Sequence, residues 1–338
     1  MPANSRFTVA VFGAAGYAGS LAARLLYNHP NFDLRWLTAR SDVGRRLNDV
    51  YPQHRVPMVM EEAEIERHGD VDAAIVAYPH GASAPFVAEL RARGVKVVDL
   101  SADFRLRDVE TYEEWYWPHP EPDLIAQAVY GLPELYRDQI AGAELVANPG
   151  CYPTATILAL APLARAGLIA DAVIDAKSGV SGAGRAATEQ THFVTVDGNV
   201  NAYGVPRHRH TPEIEQELAV LGSDTRITFT PHLLPLDQGE LVSCYVTLDD
   251  PTISTGELES LYRDAYDGEQ FIELVREPAG VRAVRETNIC RISLHRDERT
   301  GRAIVFGAID NLWKGTASEA VQNLNLMFGL PEDEGISS

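Results

Sequence analysis

The sequence predicts an α/β protein of two domains, the first with a parallel sheet and the second, an α+β domain, with a mainly antiparallel sheet. Short apolar strands alternate with helical patterns over the first 150 residues, and longer strands dominate after residue 226. The length of 338 residues also exceeds the roughly 150 residues expected of one domain.

The first half contains strands and helices in turn, a pattern typical of a parallel sheet with helices on both faces. The predicted strands are 7–12, 34–38, 73–77, 95–100 and 145–147, and the predicted helices are 17–27 and 82–93. The last of these strands opens an uncharged stretch, 145–164, that has the length of a membrane span. Prolines and a glycine interrupt it, so we predict a loop that enters a buried helix.

The second half begins with a helix at about 154–165, a strand at 173–177, a long loop rich in Gly, Thr and Asn, and a helix from Pro212. Strands follow at 226–233, 240–248, 288–295 and 303–310. A final helix is predicted at about 313–328, and it carries one apolar stripe at helical spacing.

Composition excludes several classes of protein. With 45% hydrophobic and 23% charged residues the chain is globular, and its net charge of −19 opposes binding to nucleic acid or anionic lipid. Three widely spaced cysteines and the absence of an export signal at the N-terminus predict a reducing, cytoplasmic location. No spacing of ligands predicts a metal site.

A glycine-rich segment, Gly13-Ala-Ala-Gly16-Tyr-Ala-Gly19, lies between a predicted strand and a predicted helix. In that setting glycines allow a tight turn and the close approach of a pyrophosphate to the helix N-terminus, as in Rossmann-type domains. The spacing is GxxGxxG and matches the usual dinucleotide motif only loosely, so glycines that merely pack helix against strand are the alternative.

The second strand ends in Thr38-Ala-Arg40-Ser41, where an NAD site places an acid. An arginine and two hydroxyls favour the 2′-phosphate of NADP instead, although Asp42 follows and Arg40 as a plain solvated residue stays an alternative.

The segment Asn148-Pro-Gly-Cys151-Tyr-Pro-Thr places a cysteine between a strand and a helix start, where backbone N–H groups stabilise a thiolate. Cys151 is therefore the predicted nucleophile, whereas Cys244 and Cys290 lie in apolar strand patterns and are expected in the core.

His210 immediately precedes Thr211-Pro212-Glu213, a helix-start signal with Thr as cap and Pro as the first helical residue. Its fixed position suits general acid/base work on a thiol adduct. A structural role, or a metal pair formed with His208, is the alternative.

Two further loops follow predicted strands. Ser178-Gly-Val-Ser181-Gly182-Ala-Gly-Arg185 offers a close backbone approach and a cation for an anion or a flat ring. Ser101-Ala-Asp-Phe-Arg105 offers a hydroxyl and a guanidinium at the carboxyl end of a parallel strand, where ligands bind.

Taken together, these segments resemble the N-acetyl-gamma-glutamyl-phosphate reductases, in order and over nearly the whole chain. They are residues 13–19, 38–41, 79–81, 99–105, 148–154, 178–185, 210–213, 310–312, 314–315 and 329–330. The glycine loop alone fits many dehydrogenases, but the cysteine and C-terminal motifs together are specific.

The resemblance implies an enzyme of arginine biosynthesis that uses NADPH to reduce N-acetyl-glutamyl 5-phosphate to N-acetylglutamate 5-semialdehyde and phosphate. It implies a thioester on Cys151 and proton transfer by His210. The implied NADP(H) contacts are Gly13, Ala15, Gly16, Tyr17, Gly19, Thr38, Arg40, Ser41, Ser181, Gly182 and Asn311. The implied substrate contacts are Ser101, Arg105, Asn148, Arg185 and Glu213.

The resemblance also implies that the C-terminal helix returns to the cofactor domain. The expected domains are thus 1–150 with 313–338 for NADP, and 151–312 for catalysis. We further expect a small-molecule substrate and a homo-oligomer, either a dimer or a tetramer.

One position departs from the family pattern Pro-His-Leu-x-Pro-x-x-Arg-Gly, because Gln238 replaces the arginine in Pro231-His-Leu-Leu-Pro-Leu-Asp-Gln-Gly-Glu240. This puts one anion contact in doubt. Three rival functions stay open: reduction of N-acetyl-aminoadipyl phosphate, aspartate-semialdehyde dehydrogenase activity, and a catalytically silent NADP-binding sensor. The aminoadipyl substrate is carried by an acidic protein, a poor partner for a chain with 19 excess negative charges.

Overall fold

The computed structural model describes residues 6–336, whose contacts divide the chain into two units. One unit comprises the chain up to Gly150 together with the segment from Thr316, and the other runs from Cys151 to Gly315. The sequence placed the return of the chain to the first unit at residue 313. A short π-helical segment at Trp313–Ala317 spans the change of unit, so no loop marks it in the sequence.

The first unit contains one sheet in which every pair of neighbouring strands is parallel. Its elements up to Gly150 are β1 (Phe7–Phe12), α1 (Tyr17–Tyr27), β2 (Phe32–Thr38), α2 (Leu47–Val50), β3 (Met60–Glu61), α3 (Ile65–His68), β4 (Ala73–Val76), α4 (Ala84–Ala92), β5 (Lys96–Asp99), α5 (Val109–Trp115), β6 (Val129–Tyr130), α6 (Pro133–Ala141) and β7 (Leu145–Ala147). The strand order is β3-β2-β1-β4-β5-β7-β6. The predicted parallel sheet is confirmed, and its order reverses between β1 and β4.

The second unit contains a sheet with four antiparallel and two parallel pairs among the described strands. Its elements are α7 (Cys151–Arg165), β8 (Ile169–Gly179), α8 (Phe193–Val196), β9 (Asn201–Ala202), α9 (Thr211–Val220), β10 (Ile227–Leu234), β11 (Glu240–Leu248), α10 (Thr255–Ala265), β12 (Ile272–Leu274), β13 (Cys290–Asp297) and β14 (Arg302–Ile309). The order is β12-β13-β14-β11-β8-β10-β9, which confirms a mainly antiparallel sheet.

The last helix, α11 (Ser318–Met327), belongs to the first unit, where it packs on α1, α6 and β5. All ten of its residues are buried, so burial extends beyond the apolar stripe seen in the sequence. The polar residues Gln322, Asn323 and Asn325 are buried with the apolar ones, and Asn323 donates to the carbonyl of Gly131 at 2.8 Å. Buried amides of this kind are tolerated because they form hydrogen bonds.

Several elements differ from the sequence prediction. Helix α7 begins at Cys151, three residues earlier than expected, since a proline such as Pro153 is tolerated in a first turn. The long loop after β8 contains α8 and β9, and α5, α6 and α10 were not predicted. Helix α10 nevertheless carries a signal, a capping box in which Ser254 and Glu257 bond each other's backbone. No helix of the described residues is both long and apolar enough to cross a membrane.

Candidate active site

The glycine turn after β1 is held by the end of the neighbouring strand. The backbone N–H groups of Gly13 and Ala14 both donate to the carbonyl of Thr38, at 2.9 and 2.8 Å. Gly13 has φ of +94°, and a Cβ there would lie 2.5 Å from the carbonyl oxygen of Ala77. A Cβ on Gly19 would lie 2.3 Å from the carbonyl oxygen of Gly13. The fold itself therefore requires the first and third glycines.

Gly16, the second glycine of the motif, is not required by the fold in this way. A Cβ on Gly16 would meet only the carbonyl oxygen of Gly13 at 3.6 Å, an ordinary contact. Gly16 caps α1 in an extended conformation without a side-chain hydrogen bond, so the helix N-terminus carries no internal anion. The turn lies where the strand order reverses, the position at which open parallel sheets bind ligands. Gly16 and the start of α1 thus fit the approach of a pyrophosphate.

Ala15 and Tyr17 are fixed by one aromatic neighbour. The Tyr51 hydroxyl donates to the carbonyl of Ala15 at 2.7 Å, and the Tyr51 ring packs edge-on against Tyr17 with centroids 6.3 Å apart. These two contacts hold the glycine turn against Tyr51.

At the end of β2, the guanidinium of Arg40 is exposed and lies 5.0 Å above the ring of Tyr78. Ser41 is also exposed, whereas Thr38 is fully buried and serves the turn through its carbonyl group. The nearby acid, Asp42, accepts a hydrogen bond from Arg45 at 2.7 Å. Arg40 is therefore available to an anionic ligand, while the carboxylate of Asp42 is already neutralised.

The three substrate residues predicted in the first unit are bonded within that unit. Ser101 donates to Asp99 at 2.6 Å, and burial raises the pKa of Asp99 to about 6. Buried Arg105 donates to the carbonyls of Asn148 and Leu100, at 2.7 and 2.9 Å.

The Asn148 side chain donates to the carbonyl of Thr316 at 3.3 Å and accepts from Asn323 at 3.1 Å. These contacts fix the strand end that leads to the cysteine segment.

The thiol of Cys151 stands on the first residue of α7, a helix whose following residues up to Ala164 are all buried. Cys151 itself is partly exposed. Gly315 makes room for it, because a Cβ on that glycine would lie 2.9 Å from the Cβ of Cys151. A reachable thiol at a helix N-terminus is suited to nucleophilic attack.

Aromatic rings connect the cysteine segment to the two histidines. The ring of Tyr152, the residue after Cys151, lies 5.8 Å from the ring of His208 and 5.9 Å from that of His210. Tyr203 donates its hydroxyl to that of Tyr152 at 3.1 Å. His210 thus packs against Tyr152, which is adjacent to Cys151 in the chain. The sequence could not show this proximity.

The two histidines differ in position, and His208 has a defined protonation state. The backbone N–H of His210 donates to Nδ1 of His208 at 3.1 Å, so the imidazole of His208 is neutral with its proton on Nε2. Burial, and then the charge of Arg209, lower the pKa of His208 to about 4. His210 precedes α9 with helical backbone angles, so Thr211 is the first helical residue and not the cap. The predicted cap was wrong by one residue.

The second glycine-rich loop and the C-terminal motif meet through Asn311. The buried amide of Asn311 donates to the hydroxyl of Ser181 at 3.0 Å and accepts from the backbone N–H of Gly239 at 2.7 Å. Gly182 lies in the same turn, where a Cβ would come within 3.2 Å of the hydroxyl of Ser178. Arg185 is exposed beyond this turn, and Glu213 is buried in the first turn of α9.

Gln238 lies in the turn that crosses this loop. A Cβ on Gly179 would come within 2.9 Å of the Cα of Gln238, and the N–H of Ser181 donates to the carbonyl of Asp237 at 3.1 Å. Arg185, Arg207 and Arg209, the cations considered as substitutes for the family arginine, are all exposed.

Sequence reasoning missed Glu240, a fully buried carboxyl beside Cys151, and the hydroxyl pair Tyr152–Tyr203. A signal for Glu240 existed, because a single acid opens an otherwise uncharged strand. Cys244 and Cys290 are buried, and burial raises the pKa of the Cys244 thiol to about 12. Among residues 6–336, no three His, Cys, Asp or Glu side chains are grouped so that they could hold a metal ion.

Two family models match the chain. The semialdehyde dehydrogenase NAD binding domain matches residues 8–143, and the semialdehyde dehydrogenase dimerisation domain matches residues 151–311. The fold is similar to aspartate semialdehyde dehydrogenase II of Vibrio cholerae, with a TM-score of 0.72 at 20% identity over 96% of this chain and 99% of that one. The Candida albicans aspartate semialdehyde dehydrogenase, solved with NADP, gives 0.71 at 14% identity over 96% and 99%.

Similarity in sequence is much higher to another set of proteins. The N-acetyl-gamma-glutamyl-phosphate reductase of Moorella thermoacetica is 48% identical over 95% of both chains. Those of Desulforudis audaxviator and Dehalococcoides mccartyi are 48% and 44% identical, over 97% and 98% of both chains. With this identity along nearly its whole length, the chain belongs to the N-acetyl-gamma-glutamyl-phosphate reductase family, a group of semialdehyde dehydrogenase oxidoreductases.

Proposed function

We propose that this protein reduces N-acetyl-glutamyl 5-phosphate with NADPH to N-acetylglutamate 5-semialdehyde and phosphate, through a thioester on Cys151. The observation that carries the proposal is the reachable thiol of Cys151 on the first residue of a buried helix, in a chain of this family. A thiolate is both a good nucleophile and a good leaving group, as an acyl transfer of this kind requires.

The residues of the first unit fit NADP(H). Gly13, Gly16 and the start of α1 would hold the pyrophosphate, and Arg40 with Ser41 would hold the 2′-phosphate. We assign Ser181, Gly182 and Asn311 to the same cofactor from the resemblance. Bound NADPH supplies a hydride to the acyl carbon.

Cys151 acts twice in the reaction. Its sulfur attacks the acyl phosphate carbonyl, a C–S bond forms, and the C–O bond to phosphate breaks. After reduction the sulfur holds a thiohemiacetal, which collapses to the aldehyde and returns the thiolate. Each step requires proton movement near the sulfur and at the carbonyl oxygen.

We assign proton transfer at the substrate oxygen to His210. His208 is unsuited to donate a proton at neutral pH, because burial lowers its pKa to about 4. His208 instead acts as a positioning residue, since its Nδ1 accepts from the backbone N–H of His210.

We propose that Arg185 provides the cation that binds an anionic group of the substrate. We also assign Glu213, in the first turn of α9, to substrate binding. For Ser101, Arg105 and Asn148 we favour a positioning role, because their side chains already bond the strand ends that precede Cys151. The matched family model is named a dimerisation domain, which supports a homo-oligomer. We further propose that the enzyme is cytoplasmic, acts on a small-molecule substrate and has no nucleic-acid partner.

The test is an assay of NADPH oxidation with three acyl phosphates: N-acetylglutamyl, its one-carbon-longer aminoadipyl homologue, and aspartyl phosphate. We expect the first to give the highest kcat/KM. Preference for either of the others would overturn the substrate assignment. A single-turnover experiment separates an enzyme from a silent sensor, because only the enzyme oxidises one NADPH per thioester formed.

A further inference from the structure

Glu240 is the first residue of β11, and its carboxyl group is fully buried in the second unit. In the sheet, Glu240 is in register with Ser178 of β8 on one side and with Ile309 of β14 on the other. The preceding turn is fixed, because the Gly239 N–H donates to Asn311 at 2.7 Å and the Gly239 carbonyl accepts from Gly179 at 2.9 Å. The carboxyl group is thus attached to a rigid part of the sheet.

Neither carboxyl oxygen of Glu240 has a hydrogen bond of normal geometry among the described residues. A buried carboxylate in that condition is costly, so the group favours its protonated form. The Cys151 and Ser178 side chains are nevertheless near enough to influence its titration. A Cβ on Gly315 would lie 2.9 Å from the Cβ of Cys151 and 3.1 Å from Cδ1 of Ile309, and Ile309 is the register partner of Glu240. The carboxyl group of Glu240 therefore lies in the same part of the second unit as the nucleophile.

The groups around Glu240 determine its proton affinity. Burial raises the pKa of Glu240 to about 8, the Cys151 side chain lowers it, Asp310 raises it, and Ser178 lowers it. On the tyrosine side, burial chiefly raises the pKa of Tyr152 and of Tyr203, and the charges of Glu240 and Cys151 add to both effects. Among the described residues, the titratable side chains that influence Glu240 or are influenced by it thus include a thiol, a carboxyl group and two phenols.

We propose that Glu240 is a catalytic residue that takes the proton of the Cys151 thiol when the sulfur attacks and returns it when the thiolate leaves. In the first step the S–H bond breaks and an O–H bond forms on the carboxylate, while the sulfur electron pair forms the C–S bond to the acyl carbon. In the last step the C–S bond breaks, its electron pair returns to sulfur, and the carboxyl proton moves back to it.

This inference rests on the proposed function for its substrate, and it divides the proton work between two residues. Glu240 acts at the sulfur, and His210 acts at the carbonyl oxygen. Transfer between thiol and carboxylate leaves the total charge of the buried pair unchanged, which avoids a new charge in a poorly solvated place. A proton affinity near the working pH suits a group that must both accept and donate.

The experiment measures the rate at which iodoacetamide alkylates Cys151, from pH 5 to about pH 11, with mass spectrometry of the Cys151 peptide as the readout. It needs no substrate, so it is independent of the acyl phosphate that the enzyme uses. The proteins are the wild type, Glu240→Gln, His210→Asn and Glu217→Gln. Glu217 is a matched control, because it is also a fully buried glutamate of the second unit, on α9.

A thiol and a carboxyl group that share a proton titrate as a pair, in two macroscopic steps. We expect two steps in the wild type, in Glu217→Gln and in His210→Asn. Glu240→Gln should show one step, which is complete at a lower pH than the second wild-type step because the repelling carboxylate is gone. In the turnover assay, Glu240→Gln should lose roughly 10²-fold or more in kcat with little change in KM.

A single step in the wild type, or an unchanged two-step profile in Glu240→Gln, would overturn the proposal. So would a rise in KM with unchanged kcat, which would place Glu240 in substrate binding. If Glu240→Gln fails to fold, the pH profile of His210→Asn decides between the two groups. Two titration steps that persist in His210→Asn support the carboxyl group of Glu240 as the partner of the thiol. Loss of one step in His210→Asn would assign that step to the imidazole and overturn the proposal. If no acyl phosphate is reduced but the alkylation profile of the wild type still has two steps, only the substrate assignment is overturned.

Discussion

The N-termini of α1 and α7 follow similar segments of the chain but present different chemical groups. Each helix follows a buried parallel strand and a glycine-containing turn. At α1 the first turn presents backbone groups, and Gly16 leaves the space beside them open. At α7 the first residue is Cys151, which has Glu240 nearby, and the next residue, Tyr152, packs its ring against those of His208 and His210.

The difference teaches how binding and chemistry are encoded. A pyrophosphate can be held by N–H groups that every residue possesses, so a short glycine pattern suffices. A covalent reaction needs groups with particular proton affinities, and these come from segments far apart in the chain. Changes at α7 should therefore affect the rate, and changes near α1 should affect cofactor affinity.

The largest effect is expected at Cys151. Cys151→Ala should abolish semialdehyde formation, because Cys151 is partly exposed at a helix start whereas Cys244 and Cys290 are buried. Product formation by mass spectrometry is the readout, and NADPH binding by fluorescence should persist. Buried Cys244 and Cys290 serve as internal controls, since alkylation at neutral pH should modify Cys151 first. Substantial turnover by Cys151→Ala would contradict the mechanism.

A smaller loss of rate is expected at His210. His210→Asn should slow the chemical step by about 10²–10⁴, with NADPH affinity nearly unchanged, because proton transfer at the oxygen is lost. His208→Asn is the matched comparison and should cost less, since His208 is neutral and acts through the His210 backbone. Single-turnover rates measure both, and a larger loss at His208 would reverse the two roles.

The effect at Arg40 tests the other helix start. Arg40→Ala should weaken NADPH binding by about 1.5–3 kcal/mol and leave NADH binding almost unchanged, because the guanidinium forms a charge-assisted bond only with the 2′-phosphate. Titration with both cofactors measures the difference. Arg35→Ala, on an exposed arginine of β2, is the control and should change neither affinity. Equal losses for both cofactors would show that Arg40 does not contact the phosphate.

The smallest effect is expected at Gln238, where the family pattern has an arginine. If Arg185, Arg207 or Arg209 provides the cation instead, Gln238→Arg should leave KM unchanged or raise it by crowding one anion with two cations. Steady-state kinetics with the acyl phosphate give the answer. An improvement of tenfold or more in substrate affinity, about 1.4 kcal/mol, would show that the contact was lost and not replaced.

The order of strands and helices in the first unit could be predicted from the sequence, since apolar runs and the glycine motif are local signals. Strands β1 and β7 begin and end at the predicted residues. Helices α5 and α6 could not be found in this way, because they are short and α6 contains a kink at Tyr136. Local signals for α5 were limited to its start: Asp108 caps the helix by accepting from the Thr111 N–H at 2.8 Å, and Glu110 lies in the first turn.

The sequence by itself determined the chemistry of single positions: a thiol at a helix start, glycines where a Cβ would collide with backbone, and an arginine in place of an acid after β2. Only the tertiary structure decided which groups surround that thiol. Glu240 stands 89 positions after Cys151 in the numbering of the chain, and its proton affinity follows from burial and from its neighbours in the folded sheet. Local patterns record backbone geometry, whereas desolvation and charge proximity exist only once distant segments have packed together.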